Sequence, residues 1–232
     1  MKLKRKTIEF ACEGEIIDLP KPAKLFIPDW YKDGPKPKDA DLKWNGNEPF
    51  KGLKHCVPFL DGMLTGYVAT LWVDVFVDIE DGMQVFRHRH TEHEPISERL
   101  ISSTENLPVP AGFHFRRFTW RSPFFVRTPK GYSLLLTHPI NRDDLPFRTL
   151  SAVIDSDSIM TTGNVPFFIK QDFTGIIKKG TPLFQIIPFK RDDWESVENK
   201  EIIKIGGLNQ RRAHSVISGW YKRNQWKVKT YQ

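Results

Sequence analysis

The sequence predicts a mainly β protein built as a single domain, and three observations favour this fold class. Short apolar runs, several of them with two-residue alternation, recur about every ten to fifteen residues between residues 67 and 189. Turn signals such as Pro129-Lys130-Gly131 and Lys179-Gly180 separate them. Helical periodicity is confined to one stretch near the C-terminus. This combination is typical of a sandwich, a jelly roll or a partly closed barrel.

Residues 1–56 are predicted to hold one or two short strands followed by a proline-rich segment that wraps the surface. Residues 57–200 form the predicted β core, which opens with a helical turn over residues 58–64. Asp81-Gly82 predicts a tight hairpin turn inside the core. The core strands are predicted at residues 67–72, 73–79, 83–87, 112–120, 124–127, 132–137, 150–155, 166–170, 175–178 and 183–189.

Residues 201–232 are predicted to form a basic C-terminal helix that packs on the core. Its apolar face comprises Ala213, Val216, Ile217, Trp220 and Tyr221, which recur at helical spacing. No aspartate or glutamate occurs from residue 202 onward, and cations alternate with tryptophan and tyrosine, as in surfaces that bind single-stranded nucleic acid. Alternatively, the aromatic residues hold the helix on the sheet and the cations are solvated. The candidate partner surface consists of Arg211, Arg212, Lys222, Arg223, Lys227 and Lys229.

Composition limits the class of protein. The 232 residues are 39% hydrophobic, with 17 phenylalanines and 7 tryptophans, so one large domain can build its own core. The two cysteines, Cys12 and Cys56, stand in no paired motif, which predicts thiols that are not joined in a disulfide. No apolar run is long enough for a membrane span, and glutamates interrupt the stretch where a signal peptide would be apolar. The net charge of +7 favours acidic partners.

A histidine-rich segment is the densest group of metal-ligand side chains. His88 and His90 project from one face of a strand, and His93 and Glu94 follow within reach of a shared ion. Gly82, His88, His90 and Glu94 resemble in spacing the opening of the cupin metal motif, which implies iron, manganese or zinc. The second half of that motif is absent, and arginines stand beside the histidines. We therefore expect a charged surface loop without a bound metal, and a divalent metal site as the alternative.

Other candidate site residues are Asp155 and Asp157, which end a predicted strand and share one face. Such a pair can hold a cation or separate its pKa values for acid and base catalysis, or it can form a polar turn. Asn141 and Arg142 follow another strand end and can orient a ligand or hold a loop. The sequence contains no dinucleotide-binding fingerprint, Walker loop, nucleophile elbow or paired-cysteine motif, so no organic cofactor is expected.

Two longer patterns resemble known families. Residues 126–133, 138–142, 153–157, 179–182 and 185–189 together are similar to an uncharacterised family of tailed-phage and bacterial proteins that is common in marine phages. Within this region, residues 153–157 and 179–185 are similar in layout to trimeric dUTPases, which implies a dUTPase-like β-roll and a nucleotide-site role for Asp155. The phosphate-binding segment of that family is absent, because Pro123 follows Arg121-Ser122, and so is its glycine-rich C-terminal arm.

The resemblance and the lack of a complete catalytic motif favour a phage-type accessory or structural protein that binds and self-assembles. We expect it to form homo-oligomers or to contact other phage proteins, in the host cytoplasm or in the virion. A metal-dependent cupin-like enzyme or a nucleotide-site relative of the dUTPase fold is the second hypothesis. A nucleic-acid-binding module is the third.

Overall fold

The computed structural model describes residues 6–12, 18–34, 44–45, 48–49, 53–99, 107–214 and 220–232. Within these residues the chain is mainly β, as predicted, with short antiparallel strands and four α-helices. The helices are α1 (Asp29–Lys32), α2 (Val57–Leu64), α3 (Ile202–His214) and α4 (Trp220–Asn224). The strands are β1 (Glu9–Cys12), β2 (Lys21–Pro22), β3 (Trp44–Asn45), β4 (Glu48–Pro49), β5 (Tyr67–Thr70), β6 (Val75–Glu80), β7 (Met83–His88), β8 (Ile96–Arg99), β9 (Arg117–Arg121), β10 (Phe124–Arg127), β11 (Tyr132–Thr137), β12 (Phe147–Thr149), β13 (Ala152–Ile154), β14 (Asn164–Ile169), β15 (Gly175–Ile177) and β16 (Pro182–Lys190).

The chain divides into two compact units. The first comprises residues 1–26, 65–191 and 231–232, and the second comprises residues 27–64 and 192–230. All the strands belong to the first unit except β3 and β4, which pair with each other in the second. The single-domain organisation predicted from the sequence stays a prediction.

The largest sheet of the first unit has five strands in the order β13-β11-β16-β5-β2, each antiparallel to its neighbour. Its centre is the long β16, where Leu183, Phe184 and Ile186 are buried. Gly66, just before β5, has a φ of +76° and lies so close to this strand that an added Cβ would stand 2.2 Å from the Ile186 carbonyl oxygen. Only glycine fits this approach.

The core contains a cluster of aromatic side chains from the four-stranded sheet β12-β14-β9-β8. Trp120 of β9 stacks on Phe167 of β14 with ring centroids 3.7 Å apart, and Phe147 of β12 meets Trp120 edge-on at 4.8 Å. All three side chains are 0–1% exposed. Burying aromatic rings of this size is a large part of what stabilises such a sheet.

A three-stranded sheet, β15-β6-β7, contains the predicted hairpin. Glu80 pairs with Met83, so Asp81 and Gly82 form a two-residue turn, and both have positive φ, at 51° and 75°. These angles are those of a type I′ turn, whose twist matches that of the strands. The remaining sheet of the first unit pairs β1 with β10.

The C-terminal helix is predicted within residues 201–232. In this range the described helices are α3, which begins at Ile202, and the short α4. The predicted face cannot be followed, because Val216, Ile217 and the side chain of Ala213 lie outside the described residues. Trp220 and Tyr221 are half-buried. The glycine pair Gly206-Gly207 lowers the intrinsic helix propensity of α3.

Candidate functional site

A cavity of about 450 Å³ is formed by the histidine-rich segment and by the ends of two strands. Residues 89–95 connect β7 to β8, and they face Arg121 at the end of β9 and Asn164 at the start of β14, which pair with each other. We call it the histidine cavity. It is lined by His88, His90, Thr91, Glu92, His93, Glu94, Arg121, Ser122, Pro123 and Asn164.

Hydrogen bonds hold the segment around the cavity in place. The His93 carbonyl oxygen accepts hydrogen bonds from Trp72 Nε1 at 3.2 Å and from Thr91 Oγ1 at 2.7 Å. Arg121 donates to Glu94 at 3.2 Å, and its backbone N–H donates to the Pro95 carbonyl at 3.0 Å. The segment is therefore a loop held to β9, with its ionic groups at the surface, as the sequence predicts.

The lining groups are mostly hydrogen-bonding ones. His88 Nδ1 lies 2.8 Å from the Arg89 carbonyl oxygen, which can only accept, so Nδ1–H donates this hydrogen bond. The Ser122 hydroxyl is buried and has no hydrogen-bond partner within the described structure. A small polar ligand would find both donors and acceptors here.

The predicted metal ligands line one cavity without converging on one point. His88, His90, His93 and Glu94 all face it, but Glu94 is paired with Arg121. In the part of the chain that the structure describes, no group of three histidine, cysteine, aspartate or glutamate side chains is arranged to hold a metal ion. The metal site remains the alternative hypothesis for this segment.

Asp155 and Asp157 lie next to Arg191, whose contact with them the sequence did not indicate. Asp155 directly follows β13, and Asp157 lies in the turn after it. Arg191 Nη1 donates to Asp155 Oδ1 at 3.1 Å and to Asp157 Oδ1 at 3.0 Å. Ser133 donates to Asp155 at 2.6 Å, and the Gly131 N–H donates to Asp157 at 2.8 Å.

These contacts determine the ionisation of both carboxyl groups. Hydrogen bonds from Arg191 and from the Gly131 N–H lower the pKa of Asp157 to about 2. The Ser133 hydroxyl and then Arg191 lower the pKa of Asp155. One guanidinium therefore stabilises both anions. Arg191 occupies the position where a cation would neutralise the pair.

Asn141 and Arg142 hold a loop together. Asn141 has a φ of 62°, as in tight turns. Arg142 forms a bidentate ion pair with Asp144, at 2.8 and 2.9 Å, and donates to the Phe26 carbonyl oxygen at 3.3 Å. Its own carbonyl oxygen accepts a hydrogen bond from His138 Nε2 at 3.0 Å. These contacts favour the loop-holding alternative over ligand orientation.

The basic C-terminal residues differ in their surroundings. Arg212 lies 5.8 Å from the ring centre of Trp220, and Lys222 lies 6.0 Å from that of Trp226. Lys229 was expected to be solvated, but it forms an ion pair with Asp61, which also accepts a hydrogen bond from Trp226 Nε1 at 2.9 Å. Trp226 is therefore held by α2. Arg211, Arg223 and Lys227 are exposed.

Sequence reasoning missed a run of exposed apolar side chains just before and within α3. We call residues 194–208 the apolar segment. Its large apolar side chains are 53–89% exposed, with Trp194 the most exposed. The sequence contained part of the evidence for this exposure, because a tryptophan and a valine stand among the many acidic side chains of residues 192–201. The apolar residues are Trp194, Val197, Ile202, Ile203, Ile205 and Leu208.

Comparison of the chain with protein-family models and with curated proteins found no match. The resemblance to the phage family therefore remains a prediction. None of the helices in the described part of the chain combines the length and the apolar character needed to cross a membrane.

Proposed function

We propose that this protein acts by binding and self-assembly, as a phage-type accessory or structural component. The observation that supports this proposal is the apolar segment, where six large apolar side chains within fifteen residues are more than half exposed. So many large apolar side chains exposed along one short segment are typical of a surface that meets a partner.

Burying one large aliphatic or aromatic side chain contributes about 1.5–3 kcal/mol, and the cost of association has to be met before any of it appears as affinity. Several such side chains buried together can meet that cost, whereas a single exposed residue cannot. The segment would then be covered in the working assembly, which we place in the host cytoplasm or in the virion.

The other hypotheses receive less support from the geometry. The cupin-like enzyme needs histidines that converge, and within the described residues they do not. The nucleotide-site hypothesis needs an available Asp155, which is bonded to Ser133 and Arg191. The nucleic-acid hypothesis needs available cations and aromatic rings at the C-terminus, but Lys229 and Trp226 both contact Asp61.

Sedimentation of the purified full chain over about a hundredfold range of concentration tests the proposal. We expect a mass above the 27.0 kDa of one chain, rising with concentration. Ile205→Gln, which keeps a good helix former in α3, should weaken the association. Val153→Thr is the matched control, because Val153 is as exposed (61% against 66%) but lies on β13. A mass of one chain at every concentration would contradict self-assembly.

A further inference from the structure

We infer that the partner of the apolar segment is a second copy of this chain, docked antiparallel. The acidic residues before α3 of one chain would face the basic residues of α3 in the other. This inference rests on the proposed self-assembly and adds the surface, the partner and its orientation.

The charges around the apolar segment are separated along the chain. Residues 192–201 contain five carboxylates and one lysine, and residues 202–214 contain three cations and no carboxylate. The side chains on both sides of this boundary are exposed. The acidic residues are Asp192, Asp193, Glu195, Glu198 and Glu201, and the basic residues are Lys204, Arg211 and Arg212.

The geometry of α3 places its cations beside its apolar side chains. Ile202, Ile205 and Leu208 follow one another at three-residue intervals, so they lie along one side of the helix. Lys204 and Arg212 stand four residues before and after Leu208, and residues four apart are neighbours on a helix surface. A partner that covers this side therefore meets a basic border.

Gly206 adjoins the same side of the helix, and an added Cβ there would contact nothing. A glycine inside an exposed helix costs about 1 kcal/mol relative to alanine. Its lack of a side chain lets another chain approach the helix closely beside Ile202.

A second copy fits this pattern better than nucleic acid or an anionic membrane. Both of those partners are negatively charged and would be repelled by the five carboxylates that adjoin the helix. A copy of the same segment carries both negative and positive charges. When the two segments run antiparallel about a two-fold axis, the acidic end of each meets the basic end of the other. A parallel arrangement would place like charges opposite each other.

Charge reversal followed by mixing tests this inference. One variant carries Asp193→Lys, Glu195→Lys and Glu198→Lys, and the other carries Lys204→Glu and Arg212→Glu. Each alone should place like charges across the interface and weaken self-association at least tenfold. An equimolar mixture should regain a complex with the mass of two chains, because opposite charges then meet at both ends. Unfolding or loss of helix cannot produce that recovery, and far-ultraviolet circular dichroism checks the helices of each variant.

The outcomes separate this inference from the proposed function. If the wild-type chain assembles but the variants assemble equally well, or the mixture stays at the mass of one chain, the antiparallel surface is wrong and self-assembly stands. If the wild-type chain is monomeric throughout, both are wrong. Wild-type binding to vesicles of phosphatidylcholine and phosphatidylserine, or to single-stranded DNA, that is lost in Ile205→Gln would assign the segment to that partner instead.

Discussion

His138 lies in a position where a protonated imidazole would lose a hydrogen bond. Its Nδ1 accepts a hydrogen bond from the Thr149 N–H at 3.3 Å, and its Nε2–H donates to the Arg142 carbonyl oxygen at 3.0 Å. These partners fix one neutral tautomer. Burial lowers the pKa of His138 below the usual 6.5, although the Arg142 carbonyl acts in the opposite direction.

We expect this histidine to make stability depend on pH. An unfolded histidine binds its proton near pH 6.5, and folded His138 binds it only at lower pH. Between the two values the unfolded chain holds more protons, so the free energy of unfolding falls as the pH drops below 6.5. The contribution is at most about 1.4 kcal/mol per pH unit.

Urea unfolding of the wild type and of His138→Gln, between about pH 7.5 and pH 5, measures this contribution. In the variant, the free energy of unfolding should depend less steeply on pH in this range. His114 provides an internal control, because burial lowers its pKa as well and it stays in both proteins. Equal slopes in the two proteins would show that His138 is not responsible.

The histidine cavity leads to a prediction about metal. We expect the purified chain to contain no stoichiometric iron, manganese or zinc, because Arg121 neutralises Glu94 and the histidines do not converge. Elemental analysis of the protein, before and after dialysis against zinc, checks this expectation. One zinc per chain that is retained in the wild type and lost in His88→Ala would restore the cupin-like hypothesis.

At the scale of elements, the stack of Trp120 on Phe167 joins β9 to β14 inside the core. Trp120 Nε1 also donates to Thr149 Oγ1 at 3.1 Å, which links the stack to β12. Trp120→Ala should cost about 3–5 kcal/mol of unfolding free energy, because it leaves a large cavity and removes the hydrogen bond to Thr149. Val228→Ala, at a side chain that is 64% exposed and outside the apolar segment, should change it by no more than about 0.5 kcal/mol. Similar losses in both variants would contradict this assignment of the core.

Asp61 of α2 anchors the C-terminal residues of the second unit. It is 8% exposed and receives the Trp226 indole N–H and the Lys229 ammonium. Asp61→Ala should cost about 1–3 kcal/mol and speed amide hydrogen exchange in residues 226–230. Asp29→Ala is the control, since it removes an exposed aspartate–lysine pair at 3.0 Å and should change little. Unchanged exchange in Asp61→Ala would mean that the anchor is not needed.

At the scale of the whole molecule, the net charge of +7 should give salt-sensitive, sequence-indifferent association with nucleic acid at low salt. Lys227 is exposed, whereas Lys229 is neutralised by Asp61. Lys227→Gln should therefore reduce the salt slope of single-stranded DNA binding by up to about 0.7, and Lys229→Gln should leave it nearly unchanged. No binding at low salt would remove the nucleic-acid hypothesis, and equal slopes in the two variants would contradict the role given to Asp61.

The strands with strong local signals were predicted well. The predicted strands 124–127 and 132–137 coincide with β10 and β11, and Asp81-Gly82 is the turn between β6 and β7. Two strands, β8 and β12, had no such signal. In β12 only Phe147 and Thr149 are buried, on either side of the exposed Arg148, and three residues are too few to show alternation. They are strands because β9 and β14 offer them hydrogen-bonding edges.

For the candidate site residues too, the sequence predicted local features but not the contacts between distant segments. The sequence predicted that Asp155 lies at a strand end and Asp157 near a turn, since turn chemistry is local. It did not indicate Arg191, which lies more than thirty residues later and reaches both carboxylates because β16 pairs with β11 and β11 pairs with β13. Contacts of this kind depend on strand register, which no local pattern specifies.

By itself, the sequence determined the mainly β class and the positions of the strongest strands and turns. These follow from composition, alternation and backbone preferences, which act between neighbouring residues. Only the tertiary structure decided that Asp155 and Asp157 share one guanidinium, that Lys229 is bound to Asp61, and that apolar residues 194–208 are exposed. Burial and ion pairing depend on which distant segments meet, and that is settled by the packing of the whole chain.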